Sequence, residues 1–119
     1  MSSTSFVSIH PYFRSHPGKL DAVKALLPRF IEKTATEQKV MHYEFTLNGD
    51  EIFCREGYQD AEGLLTHLSN VGKELDEMLK LAELTRVEVH GPAGELDKLR
   101  APLAHLDAAW FVRVAGLKR

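Results

Sequence analysis

The sequence predicts an α+β sandwich, an antiparallel sheet with helices on one face. Three observations carry this. Four segments alternate apolar and polar residues at period two, and stripes spaced three or four residues apart separate them. Asn48-Gly49 is a tight-turn signal between two of those segments, so they form a hairpin rather than a crossover. Asp60 stands where a carboxylate caps the first turn of a helix.

The elements follow in order. Phe6 to Phe13 is the first strand, with Val7, Ile9 and Phe13 on one face and Ser8, His10 and Tyr12 on the other. His16-Pro17-Gly18 ends it, and Pro17 suits a first helical position because its missing N–H has no intrahelical partner there. Helix one presents Leu20, Val23, Leu27, Phe30, Ile31 and Thr34, and Pro28 should bend it by removing the bond to the Lys24 carbonyl. Val40 to Leu47 and Ile52 to Tyr58 form the hairpin. With a two-residue Asn48-Gly49 turn, Tyr43 lies opposite Cys54 and Met41 opposite Glu56, so these four and Tyr58 share a face. A longer loop would change that pairing.

After Asp60 a helix carries Leu64, His67, Leu68 and Val71 at i, i+3, i+4 and i+7, which turns an imidazole toward the core. Gly72 marks a break, and Leu75, Met78, Leu79 and Ala82 continue a second helical segment. Leu84 to His90 is strand four, with Val87 and Val89 on one face and Arg86, Glu88 and His90 on the other. The core order is βαββαβ, a ferredoxin-like arrangement. Beyond the Gly91-Pro92-Ala93-Gly94 turn, Leu96, Leu99, Leu103 and Leu106 mark a short helix interrupted near Pro102. Ala108 to Ala115 is a fifth strand, with Trp110, Val112 and Val114 on one face, able to cover an edge of its own sheet or a partner's. One domain is expected over 1–119, with a core of about 6–90 and an extension of about 94–116.

Composition excludes several function classes. The net charge of −2 comes from interspersed signs and leaves no basic stripe, so nucleic acid is not an expected partner. Cys54 is the lone cysteine, which excludes an intrachain disulfide and fits a reducing compartment; as a side chain it reads as a small buried hydrophobe. The polar lead Met-Ser-Ser-Thr-Ser lacks the features of a signal peptide, and no apolar run approaches the roughly 20 residues that span a bilayer. A cytoplasmic location without a membrane partner is expected. His10, His42 and His90 sit on strands, but no His-x-His, Cys pair or HExxH accompanies them, so no metal site is expected. With Arg55, Arg86 and Arg113 they suit a polar sheet-to-sheet interface, a solvated outer face being the alternative. No GxGxxG, P-loop or Gly-x-Ser-x-Gly occurs, and no nucleotide, flavin or other cofactor is expected.

The run Arg55-Glu56-Gly57-Tyr58-Gln59-Asp60, followed by His67-Leu68-Ser69 on an amphipathic helix, resembles the antibiotic biosynthesis monooxygenase family. Members are small dimeric α+β barrel proteins. The resemblance extends over the element order from about Val7 to His90. It implies a homodimer, and an enzyme that oxidises or rearranges a small electron-rich aromatic or quinol-like compound without a cofactor. In that scheme His67 removes a phenolic proton, Glu56 orients it or binds a substrate hydroxyl, and Tyr43 and Tyr58 hold the ring. From the residues alone, His67 also suits a core histidine bonded to a carboxylate or carbonyl, and Glu56 a salt bridge to Arg86 or another strand cation. Tyr43 and Tyr58 likewise suit plain core aromatics. A non-catalytic ligand-binding or stress-related barrel is the alternative function. Haem degradation ranks third, because it needs an axial histidine where this chain has Val71 or Gly72, and an aromatic wedge that is only Tyr58 here.

Overall fold

The computed structural model describes residues 5–117, and the polar lead through residue 4 lies outside them. The elements are β1 (Val7–Ser15), α1 (Leu20–Thr34), β2 (Val40–Asn48), β3 (Glu51–Tyr58), α2 (Ala61–Asn70), α3 (Gly72–Leu81), β4 (Ala82–Gly91), α4 (Ala93–Arg100), a 3-10 turn at Ala104–Leu106, and β5 (Ala109–Val112). They build a ferredoxin-like α+β fold, with strand order β2-β3-β1-β4-β5. The first four strands pair antiparallel, but β5 joins β4 in parallel, so the complete sheet is mixed. The extension thus covers an edge of its own sheet. A parallel return needs a crossover, and α4 with the 3-10 turn supplies it.

Period-two alternation sorts the strands into two faces. Val7, Ile9, Phe13, Ile52, Cys54, Tyr58, Val87 and Val89 are buried. They meet the helices in two clusters. One gathers Val7, Ile9, Tyr58, Leu64 and Val89 with Leu96, Leu99 and Leu103 of the extension. The other joins Phe13 and Ile52 to Val23 and Phe30 of α1, Val71, and Met78 of α3. Each fully buried side chain of this size contributes roughly 1.5–3 kcal/mol of transfer free energy. The opposite face carries an aromatic and imidazole array: His10 stacks on Phe53, Tyr12 tilts against the same ring, and His90 stacks on Phe111.

Four expectations need correction. Helix α1 starts at Leu20 rather than at Pro17, because Gly18 adopts φ +76°, a left-handed conformation no helix accommodates. Its buried residues are Val23, Leu26, Phe30 and Thr34, while Ile31 is 43% exposed. Ile31 follows Phe30 by about 100° around the helix, which carries it off the stripe. The hairpin turn is Gly49-Asp50, since Asn48 pairs with Glu51 and Gly49 takes φ +61°, as a turn with glycine at its first central position requires. Tyr43 is therefore opposite Glu56, and Phe45 opposite Cys54. Finally, β5 ends at Val112; Val112 is exposed and Val114 is 96% exposed, so only Trp110 of that predicted stripe packs on the core.

Candidate functional site

Helix α2 begins where its capping chemistry requires. The Asp60 carboxylate accepts the Gly63 N–H at 2.9 Å, Lys39 Nζ holds the second Asp60 oxygen at 2.8 Å, and the Ala61 N–H donates to Glu95. Two turns later His67 points inward, 2% exposed. On β3, Glu56 and Tyr58 lie two residues apart and so share the inner face with Tyr43 of the neighbouring strand.

These side chains meet. Tyr58 Oη donates to Glu56 Oε1 at 2.5 Å, and the same carboxylate oxygen lies 3.3 Å from His67 Nε2. The other ring nitrogen, Nδ1, lies 2.9 Å from Glu37 Oε2, and Asn70 Nδ2 donates to that oxygen at 2.9 Å. The imidazole is therefore held between two carboxylates. The Tyr43 ring centre is 5.0 Å from that of His67, and the Tyr58 ring centre 5.2 Å. Arg86 is not involved: it pairs with Glu88 on the opposite face.

The pair sits at one end of a cavity of about 340 Å³ between the two core clusters. Its walls include Ile9, Phe13, Phe30, Phe45, Leu68, Leu75 and Val87, and its polar end is made by Tyr43, Cys54, Glu56 and His67. Asp76 and His105 join the lining from α3 and the 3-10 turn. Tyr58 is fully buried beneath Glu56 and does not line this space. Three of the four residues singled out by sequence thus border the cavity, and the fourth supports one of them. Glu37 was not foreseen. It stands in the polar connection between α1 and β2, where nothing local distinguishes it from a solvated loop residue.

Burial sets the electrostatics. Foremost through desolvation, Glu56 holds its proton more tightly than an ordinary carboxyl, although His67 and the Tyr58 hydroxyl oppose that. Burial, and then the Glu56 charge, push the Tyr43 and Tyr58 phenols and the Cys54 thiol upward. At neutral pH those three stay protonated and act as donors, so Glu56 and His67 are the groups there that can accept a proton. Among the described residues, no group of three or more His, Cys, Asp or Glu is placed to hold a metal ion. No helix among them is long and apolar enough to cross a membrane.

No family model matches the chain. A curated relative, vacuolar protein sorting-associated protein 60.2 of Arabidopsis thaliana, is 34% identical over 79 residues, covering 63% of this chain and 34% of its own length. The chain thus spans about a third of that relative. Among solved structures, MupZ from Pseudomonas fluorescens is 43% identical, covering 96% of this chain and 94% of its own, with a TM-score of 0.92. Rv0793 from Mycobacterium tuberculosis is 26% identical over 74% of this chain and 95% of its own, at 0.66. A protein of Chloroflexus aurantiacus, provisionally named an antibiotic biosynthesis monooxygenase, superposes at 0.62 with 22% identity, over 76% of this chain and 95% of its own. With 43% of aligned residues identical along nearly the full length of both chains, this protein belongs to the family of MupZ, and its fold is that of the antibiotic biosynthesis monooxygenases.

Proposed function

We propose that the protein is a cofactor-independent monooxygenase acting on a small electron-rich aromatic or quinol-like compound. The observation that supports this most is the Glu56–His67 pair at the polar end of a cavity walled by Phe13, Phe30, Tyr43 and Phe45. Aromatic walls favour a flat aromatic ligand in edge-to-face contact, and about 340 Å³ is at the small end of ligand pockets. In this reading the pair removes a phenolic or enolic proton, and the protonated Tyr43 hydroxyl stabilises the resulting oxyanion. The anion gives one electron to O2, the two radicals combine as a peroxide anion, and the pair returns its proton to give a hydroperoxide. Loss of water leaves a quinone. One oxygen atom enters the product and the other leaves as water, so no external reductant is required. Tyr58 acts beneath the site, fixing Glu56 through its hydrogen bond. Excluding water around the pair strengthens each of these interactions.

A homodimer is part of the proposal. The sheet face opposite the helices presents His10, Tyr12, Phe53 and Phe111 beside Arg55, a mixture too apolar for open water and too polar for an interior. A second copy packed there would cover it.

Oxygen uptake with 1,8-dihydroxyanthrone tests the activity. The wild type is expected to consume one O2 per quinone formed, and His67→Gln to lose about 10²- to 10⁴-fold in kcat with the fold retained. Binding of the probe without uptake would make the protein a non-catalytic ligand carrier instead.

A further inference from the structure

We propose that Glu37, seated by Asn70, is a positioning residue and proton carrier that connects His67 to bulk water through the groove between α2 and the α1–β2 connection. This rests on reading Glu56 and His67 as the groups that accept the substrate proton. Such a pair must be unprotonated when the substrate arrives, and a substrate that fills the cavity separates it from water on that side. The structure offers another exit.

The two carboxylates that flank the imidazole open onto different spaces. Glu56 and His67 line the inner cavity, and Glu37 does not. Glu37 and Asn70 line a separate, open groove of about 840 Å³ with Thr36, Lys39, Thr66 and Ser69, and neither Glu56 nor His67 reaches it. The imidazole therefore stands between the apolar cavity and a separate polar groove, with Nε2 toward the Glu56 side and Nδ1 toward the Glu37 side. A ring that accepts a proton at one nitrogen can release one at the other, without rotating. Hydrogen bonds join Tyr58 to Glu56, and His67 through Glu37 to Asn70, and the 3.3 Å ion-pair contact between Glu56 and His67 links the two segments. Asn70 is itself fixed, since its amide also donates to the Lys33 carbonyl at 2.9 Å. The Glu37 N–H donates to the Thr34 carbonyl, which holds the backbone at the end of α1. The Glu37 side chain is only 5% exposed, and it reaches water through the groove that it lines.

The test needs no substrate. Exchange of the His67 ring proton with water is followed by nitrogen-15 NMR of histidine-labelled full-length protein. Glu37→Gln keeps an acceptor oxygen for Nδ1 but cannot carry a proton, and exchange should slow by about a hundredfold. Glu37→Asp, which keeps the carboxylate, should recover part of the rate. A merely structural role predicts the opposite sign, because a loosened site admits water and speeds exchange. Unchanged or faster exchange in a folded Glu37→Gln protein would overturn the relay. Oxygen uptake with 1,8-dihydroxyanthrone separates this from the function. An inactive wild type whose exchange still depends on Glu37 keeps the relay and removes the monooxygenase reading; an active wild type with Glu37-independent exchange does the reverse.

Discussion

The two faces of the sheet carry similar residue types in opposite electrostatic settings. On the inner face, His67 is clasped between Glu56 and Glu37, with phenols and a thiol as further donors. On the outer face, His10 lies against Phe53 and His90, and burial followed by the His90 charge lowers its affinity for a proton to about 4. The inner imidazole has a glutamate side chain at each ring nitrogen. One among aromatics, a second imidazole and Arg55 is held neutral, and Glu88 only partly offsets this. The residue type alone does not separate the roles; its neighbours do.

The largest expected effect on this contrast comes from charging the outer face. Phe53→Asp should raise the dissociation constant of the proposed dimer by more than about tenfold, the scale of an aromatic interface anchor. Light scattering across a dilution series checks it. A wild type that is monomeric at micromolar concentration would remove the outer face's assigned role. The inner site should keep its hydrogen bonds in the variant, because Phe53 points away from them.

A smaller effect concerns pH. A histidine whose folded-state proton affinity lies below its unfolded value costs stability as pH falls. Above about 6.5 both states are neutral; between there and about 4 only the unfolded chain takes the proton. Stability should therefore decline through that window, and His10→Gln should flatten the decline without changing the plateau above pH 7. Urea unfolding at several pH values measures it. An identical slope in wild type and variant would mean that His10 is not held neutral in the fold.

How far the site was legible follows from particular residues. Asp60 and the Leu64, His67, Leu68, Val71 stripe predicted an inward imidazole correctly, because a cap and a helical period are local and strong. The hairpin register was displaced, yet Tyr43, Cys54, Glu56 and Tyr58 keep a common face; Met41, at the register shift between Val40 and His42, is 38% exposed. Moving the turn to Gly49-Asp50 changes the pairing sum by two, and only an odd slip exchanges the faces. The parallel β5 was hidden because a strand's direction is decided by the crossover before it, not by its own alternation. Glu37 was illegible for a stronger reason. It meets His67 across 30 residues of sequence, and only closure of α1 over α2 brings the two together. Tyr58 shows the remaining limit: sequence placed it on the inner face, but depth beneath Glu56 emerges only from packing.

The central claim is that the inner pair takes a proton from the bound aromatic before oxygen reacts. Mixing 1,8-dihydroxyanthrone with the protein under strictly anaerobic conditions tests it directly, since the anion of the probe absorbs at longer wavelength than the neutral form. At pH 7 the wild type should convert bound probe to the anion, while Glu56→Gln and His67→Gln, both folded, should bind it and leave it neutral. A probe that stays neutral in the wild type, or ionises equally in all three proteins, would contradict the account.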